Sequence, residues 1–423
     1  MNKKLIALAI ASAVSMPALA DSSNVTLYGM LDASVNSASN VTGTSSANVG
    51  TNNVGGVSDN GSYFGLKGNE DLGNGLSGVW QIEQGISVTG GSGVNVNGSG
   101  STGNHVFGAN PFNNQRNTFV GLSSSSAGTI LAGIHDTPYK MSTASMDPFA
   151  DTLGDYNGIV GSSYMASNFA AGAAVLGNGT EGLSASNYFD LRPSNVLAYV
   201  SPNMAGLTLI GAYVFGDATN VNPTGVAANG YAANSSGNAY SLAAMYNAGP
   251  LYLTAAYEQH NFGGANNGSL GIGALAGQSD DAYKLGASYT IMDTTLSLMY
   301  EDTSDNFGTY GANLLGHSTW YGSVKHTMGA WDVMAAYANA GSAQASNTGA
   351  DQWSVGGDYN FSKNTSVYAL YTRIANDSGA YYNFADTTSP VAEADGTSFG
   401  GNAYGGVGGA TIQAVSLGIK HTF

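Results

Sequence analysis

Three carboxylates lie close together in the segment DPFADTLGDYN, which spans residues 147–157. Asp147, Asp151 and Asp155 fall within nine positions, and no basic residue lies among them. Only 9% of the chain is charged, whereas about 25% is typical of a soluble domain. A chain with so little charge is expected to place it selectively. The segment is therefore either an ordinary solvated loop or part of a functional site.

Other motifs look like enzyme signatures, but their contexts do not fit. GNGLSG (73–78) matches GxGxxG, yet a strand follows it where a dinucleotide site requires a helix. GTSFG (396–400) matches GxSxG, but a glycine-rich run follows Ser398 instead of a helix. DTSDNFG (302–308) lacks calcium-loop spacing. The six His are scattered and there is no cysteine, so we expect no catalysis, no metal and no cofactor.

The N-terminal segment has the pattern of a secretory signal. Two lysines precede a short apolar run, and ALA at positions 18–20 is a small-residue cleavage site. We expect residues 1–20 to be removed and residues 21–423 to form one domain. The chain has 27 acidic and 11 basic residues, a formal net charge of −16, which disfavours nucleic-acid binding.

The elements that position these residues are predicted to be strands, because hydrophobicity alternates with a period of two. In VTLYGMLDASV, from Val25, apolar residues share one face and polar residues the other, and TIQAVSLGIKHTF at the C terminus repeats the pattern. The runs between them are about 8–12 residues long, the reach of a tilted membrane strand. No later run approaches the roughly 18 apolar residues of a transmembrane helix.

The connections between the strands alternate in length. We count sixteen strands, eight long Gly/Asn/Ser-rich loops and seven short turns. This arrangement is typical of an outer-membrane barrel, whose first and last strands must pair because lipid cannot satisfy an open edge. The alternative is a secreted β-sandwich or a Gly/Asn-rich adhesin. Neither would need aromatic residues near strand ends, such as Trp320, Trp331 and Trp353.

Several segments resemble the Gram-negative general porins, especially the Neisseria/Burkholderia type. They are GSYFGLKGNEDLGNGLSGVWQIEQ (61–84), RNTFVGL (116–122), NVLAYVSPNMAGL (195–207), FSKNTSVYALY (361–371) and LGIKHTF (417–423). The resemblance implies an all-β fold, a sixteen-stranded antiparallel transmembrane barrel in the cell outer membrane. It also implies a homotrimer whose third long loop folds inward and narrows a water-filled pore for small hydrophilic solutes and ions.

The resemblance implies that the opening segment is the acidic side of this constriction. The third loop is expected to run from about Tyr139 to Asp190, so it contains Asp147, Asp151 and Asp155. In the family such carboxylates face basic residues on the opposite wall. Fixed charges act strongly there, because a narrow pore in a low-dielectric surround screens them less than bulk water does.

The basic wall is predicted from the same resemblance to contain Arg116 and Arg192, with Lys140 as a further candidate. Period-two alternation through RNTFVGL predicts that Arg116 and Val120 face inward and that Phe119 faces lipid.

Three more residues are predicted to line the pore: Lys67 and Glu83 by inward parity, and Tyr63 by position. Tyr63 and Ile134 stand where the family often has a basic residue, so the basic wall is thinned. The sequence therefore predicts a cation preference.

The last residue, Phe423, resembles the aromatic C-terminal signal that barrel assembly machinery reads. Outer-membrane lipid and lipopolysaccharide are the other expected partners. The alternative function is an outer-membrane adhesin or binding barrel that acts through its long loops.

Overall fold

The computed structural model describes residues 24–39, 54–86, 88, 112–162, 189–215, 238–261, 278–380, 382–384 and 409–423. The predicted signal peptide (1–20), most of the long loops and the GTSFG motif at 396–400 lie outside the described residues. Within the described ranges, no helix is long and apolar enough to cross a membrane.

Antiparallel strands form one closed sheet. The eighteen strands are β1 Asn24–Ser39, β2 Val54–Asp59, β3 Tyr63–Gly73, β4 Leu76–Ile86, β5 Phe112–Gln115, β6 Thr118–Ser124, β7 Gly128–Ile134, β8 Val196–Val200, β9 Leu207–Phe215, β10 Asn238–Ala248, β11 Leu251–Asn261, β12 Ser279–Ile291, β13 Thr294–Asp305, β14 Ser318–Met328, β15 Trp331–Ala340, β16 Ala350–Asn360, β17 Thr365–Asn376 and β18 Thr411–Thr422. The helical elements are α1 Pro138–Thr143 and the 3₁₀ turns Ala144–Met146, Tyr156–Gly158 and Thr309–Gly311.

Two positions in the wall are each occupied by an interrupted strand. Both β2 and β3 pair with β1, and both β5 and β6 pair with β4. The wall therefore has sixteen positions, as predicted from the sequence. Since β1 also pairs with β18, the sheet has no free edge, and the predicted all-β closed barrel is confirmed.

The C-terminal residue takes part in closing this seam. Gly29 and Phe423 exchange two backbone hydrogen bonds, of 2.9 and 3.0 Å. The Phe423 ring lies over Gly29, where an added Cβ would come within 2.5 Å of the ring. A side chain at position 29 would also come within 2.7 Å of the Tyr63 carbonyl oxygen, so glycine leaves room for both the ring and the neighbouring strand.

The two faces of the wall differ as the period-two pattern predicts. On β1, Val25, Leu27 and Val35 are about 60% exposed on the outer face. Asp32 and Ser34 are 0% and 2% exposed on the inner face. An apolar exterior and a polar interior are the reverse of a water-soluble barrel, and they suit a wall surrounded by lipid.

Aromatic pairs lie on the exterior near strand ends. The ring centroids are 4.7 Å apart for Trp320–Tyr300, 4.7 Å for Trp331–Tyr359 and 5.0 Å for Trp353–Tyr371. Trp331 follows a short turn, whereas Trp320 follows a long connection, so the two tryptophans mark opposite rims. This is the distribution of the aromatic belts at the two membrane interfaces.

All seven predicted short turns join neighbouring strands. The tightest of them use left-handed backbone conformations, with φ of 57° at Gly249 and 64° at Gly329. Glycine adopts this conformation at little steric cost, which explains the two-residue turns after β10 and β14.

One predicted orientation is wrong. Phe119 faces the interior, where it packs beside Leu131 and Val196, whereas Val120 is 65% exposed on the exterior. The strand is interrupted at residues 116–117, between β5 and β6. The interruption resets the alternation, so Arg116 and Val120 do not share a face.

Candidate functional site: the charged interior of the barrel

The connection between β7 and β8 comprises residues 135–195, of which 135–162 and 189–195 are described. These described parts lie against the inner face of the opposite wall. The connection begins with α1, where Pro138 is at the first turn and Thr137 caps the helix by accepting a hydrogen bond from the Lys140 N–H. Wall side chains on several strands then bind its backbone. We call it the β7–β8 connection.

Three hydroxyl contacts trace its path. The Ser241 hydroxyl on β10 accepts from the Tyr139 N–H at 2.9 Å. Further along, Ser323 on β14 donates to the Met146 carbonyl at 2.7 Å, and Ser354 on β16 donates to the Gly154 carbonyl at 3.2 Å. The connection therefore follows the wall from β10 to β16.

A fully buried ion cluster fixes the connection to β12 and β13. The side chains of Lys284, Asp190 and Glu301 are all 0% exposed. The Lys284 ammonium contacts Asp190 directly and lies 3.6 Å from Glu301 and 4.3 Å from the ring of Tyr139. Glu301 in turn accepts hydrogen bonds from the Tyr139 hydroxyl at 2.7 Å and the Gly161 N–H at 2.8 Å.

A second buried cluster lies beside the first on β11 and β12. His260 is 3.0 Å from Glu258 and 2.8 Å from Asp280, and Phe189 of the connection stacks on the imidazole at 4.9 Å. Sequence reasoning missed both clusters. The available signal was their inward parity: Lys284, for example, alternates with the exposed Tyr283 and Leu285.

Asp147, predicted to be an acid of the constriction, is instead buried and holds the connection together. It accepts hydrogen bonds from the backbone of Phe149 and Tyr156 and from the Tyr321 hydroxyl, each at 2.9 Å. Burial raises the pKa of Asp147 to about 6, although these donors act in the opposite direction. Its carboxylate is therefore used in hydrogen bonds within the protein.

Asp155 is also used within the connection. Its carboxylate accepts from the Asn157 N–H at 2.8 Å and from the Asp151 N–H at 2.9 Å. Burial and the neighbouring Asp147 raise its pKa. Asp151, by contrast, is exposed, and its carboxylate lies beside Gly61. Of the three predicted acids, Asp151 therefore has the charge most open to water.

Arg116, the first predicted residue of the basic wall, forms an ion pair with Glu83. The Arg116 Nε lies 2.6 Å from Glu83, and its guanidinium lies 4.6 Å from the centroid of the Tyr63 ring. Glu83 also accepts from the Tyr28 hydroxyl at 3.0 Å. The Lys67 ammonium lies 5.0 Å from the centroid of the Tyr28 ring. The structure thus brings together Tyr63 and Lys67 on β3, Glu83 on β4, and Arg116 between β5 and β6.

The second part of the basic wall centres on a carboxylate that the sequence did not indicate, Asp136. Arg192 Nε lies 2.9 Å from Asp136 Oδ1, and Lys140 Nζ lies 3.5 Å from the same oxygen. Asn117 donates to Asp136 Oδ2 at 2.8 Å. Burial acts to raise the pKa of Asp136, but the two cations and the hydrogen bonds outweigh it and lower that pKa. Ile134 ends β7 and brings no charge.

The described residues hold no group of three or more His, Asp or Glu side chains that could bind a metal ion. The described interior carries a set of fixed charges. Such an arrangement can attract, repel and orient ions.

A closed barrel with an apolar exterior, aromatic rims and a polar interior defines a transmembrane β-barrel. Residues 7–380 match the Gram-negative porin family, and the chain belongs to that family. Its members are channel proteins and not enzymes, and the protein is located in the cell outer membrane.

Two curated relatives match most or all of the chain, and a third matches about a third of it. Outer membrane porin protein 32 of Delftia acidovorans is 28% identical over 425 residues and covers 100% of both chains. An outer membrane porin protein of Bordetella pertussis is 26% identical over 412 residues, or 87% of this chain and 93% of that protein. Major outer membrane protein P.IB of Neisseria gonorrhoeae is 37% identical over 147 residues, or 35% of this chain and 36% of that protein.

Solved structures show the same fold. An anion-selective porin from Comamonas acidovorans has a TM-score of 0.66 at 24% identity, over 95% of this chain and 100% of that chain. OmpT of Vibrio cholerae has a TM-score of 0.57 at 14% identity, over 95% and 98%. At these identities the similarity bears on the fold.

Proposed function

We propose that this porin lets small hydrophilic solutes and ions diffuse passively through a water-filled interior that the β7–β8 connection narrows. The supporting observation is the docking of the connection on the inner wall by the buried Lys284 cluster. One part of the interior is thereby filled, and the charged groups around Arg116 and Arg192 remain beside the open part. A homotrimer is proposed with it, from the resemblance.

Uptake by proteoliposomes tests this function. Vesicles that contain the purified protein should swell in sugar solutions at rates that fall as the sugar becomes larger. Vesicles without protein supply the baseline. Equal swelling with and without protein would contradict a diffusion channel.

We also propose a cation preference. The chain has 27 acidic against 11 basic residues. Glu83 and Asp136 cancel two of the three positive charges of the basic wall, and Asp151 adds an exposed negative charge nearby. Asp147 and Asp155 are left out of this argument about charge, because their carboxylates accept hydrogen bonds from the backbone of the connection itself.

The preference is measured as the reversal potential across a planar bilayer in a KCl gradient. We expect the sign that corresponds to K⁺ permeating faster than Cl⁻. The Comamonas acidovorans porin is described as anion-selective. The same sign as an anion-selective channel would contradict the proposal for this chain.

Phe423 is proposed to be needed for assembly into the outer membrane. Deleting it removes the two backbone hydrogen bonds to Gly29 and the ring that covers this glycine. We expect less folded barrel in the outer-membrane fraction, measured by the heat-dependent shift in gel mobility. Phe361→Ala, an aromatic residue 65% exposed in the turn after β16, is the control. Unchanged assembly after deletion would contradict this role.

A further inference from the structure

Two cations of the basic wall share a single carboxylate. Asp136 Oδ1 lies 2.9 Å from Arg192 Nε and 3.5 Å from Lys140 Nζ, and Oδ2 accepts from Arg192 Nη2 at 3.3 Å. This group of three side chains has a formal charge of +1. The neighbouring Arg116–Glu83 pair is neutral. Without Asp136 the charge of this group would be +2, so this one carboxylate halves the positive charge of the two cations.

The position of this carboxylate is fixed from both sides. The Asp136 N–H donates to Asn117 Oδ1 at 2.8 Å, while Asn117 Nδ2 donates back to Asp136 Oδ2 at 2.8 Å. This reciprocal pair joins the end of β7 to the break between β5 and β6. The carboxylate is thereby kept between the two cations and cannot rotate away without breaking bonds on both sides.

Asp136, Lys140 and Arg192 lie close enough to Arg116 to interact with it electrostatically through Asp136. Asp136 and Asp151 both act electrostatically on Arg116. The side chains of Asp136, Arg192 and Lys140 keep 15%, 17% and 28% of their surface exposed, so the interior water reaches them. A change of charge at Asp136 would therefore be felt by an ion that passes Arg116.

From this geometry we propose that Asp136 is the residue that sets the ion selectivity of the pore, by cancelling one of the two positive charges of Arg192 and Lys140. The inference rests on the proposed channel function. It differs from a constriction whose connection acids face an uncompensated basic wall. Here the counter-charge lies directly beside the cations, because Asp136, Lys140 and Arg192 all belong to the β7–β8 connection.

Asp136→Asn removes one negative charge with almost no change in side-chain volume. We expect the permeability ratio of K⁺ over Cl⁻, from reversal potentials, to fall by about threefold, as one unit charge roughly 10 Å from the ion path would cause. Asp293→Asn is the matched control, because Asp293 is exposed in the short turn after β12. The control should leave the ratio within error of the wild type.

A second variant is expected to shift the K⁺ over Cl⁻ permeability ratio in the opposite direction. Lys140→Gln leaves Asp136 paired with Arg192 alone, so the group becomes neutral and the K⁺ over Cl⁻ ratio should rise. In the double variant Asp136→Asn/Lys140→Gln the total charge equals that of the wild type, and the ratio should return close to the wild-type value. If Asp136→Asn does not assemble, the rise in Lys140→Gln alone is the expected result.

Several results would overturn the proposal. They are a shift in Asp136→Asn no larger than in Asp293→Asn, a shift toward cations, a double variant that keeps the single variant's shift, or an unchanged ratio in Lys140→Gln. These results all require conducting channels. A wild-type protein that gives no channels would contradict the proposed function, whereas the results above, obtained with conducting channels, would contradict this inference alone.

Discussion

Replacing Lys284 by methionine is expected to lower the unfolding free energy by about 3–5 kcal/mol, because two buried carboxylates lose their cation. Asp190 belongs to the β7–β8 connection and Glu301 to the wall, and both are fully buried. Without Lys284 they repel each other across the contact that docks the connection. The unfolding temperature in detergent should therefore fall, and single-channel currents should become noisier as the connection moves.

Lys325→Met is the control for this variant. Lys325 lies 3.1 Å from Asp332, but its side chain is 42% exposed, so the loss should be about 1 kcal/mol or less. A double variant, Lys284→Met with Glu301→Gln, also removes one of the two buried carboxylate charges that have lost their cation, and it should recover part of the stability. Equal unfolding temperatures for Lys284→Met and Lys325→Met would contradict a docking role for the cluster.

Asp147→Asn is expected to lower stability and Asp151→Asn to change ion selectivity, although the two residues lie in the same segment. Asp147 accepts three hydrogen bonds, which use both of its carboxylate oxygens. An asparagine side chain has only one acceptor oxygen, so at least one buried donor would lose its partner. We expect Asp147→Asn to destabilise the protein by about 1–3 kcal/mol. Its effect on selectivity should be secondary to this loss of structure.

Asp151→Asn should leave stability within about 0.5 kcal/mol of the wild type, because the side chain is exposed. The backbone at residue 151 has φ of 62°, which asparagine tolerates well. The reversal potential should shift toward anions, because an exposed negative charge near Arg116 is gone. A large change in selectivity without destabilisation for Asp147→Asn, or the reverse for Asp151→Asn, would contradict these roles.

The barrel could be predicted from the sequence because its determinants are local. Alternating side chains define each strand, and turn residues define each short connection. Closure then follows from the cost of an open edge in lipid. The orientation of Phe119 could not be predicted, since the strand is interrupted at residues 116–117 and its pairing with β4 shifts there by one residue, which leaves no clear pattern in the sequence.

The sequence draws attention to the charged segment at residues 147–157, but it does not show which of its acids are buried. The Tyr321 hydroxyl that binds Asp147 lies 174 residues away in the chain, so no local pattern reveals that this carboxylate is buried. Asp136 was missed for a similar reason, because its partner Arg192 lies 56 residues further along the chain. Parity shows which side of a strand faces inward, but partners across the interior depend on how the connection folds.

The central proposal for this protein is that the barrel is an open, water-filled channel. Single-channel recording of the purified full-length protein in a planar lipid bilayer tests it directly. We predict discrete, long-lived current steps whose size rises in proportion to voltage and to salt concentration. A correctly folded barrel that inserts into the bilayer but conducts no ions would contradict the account.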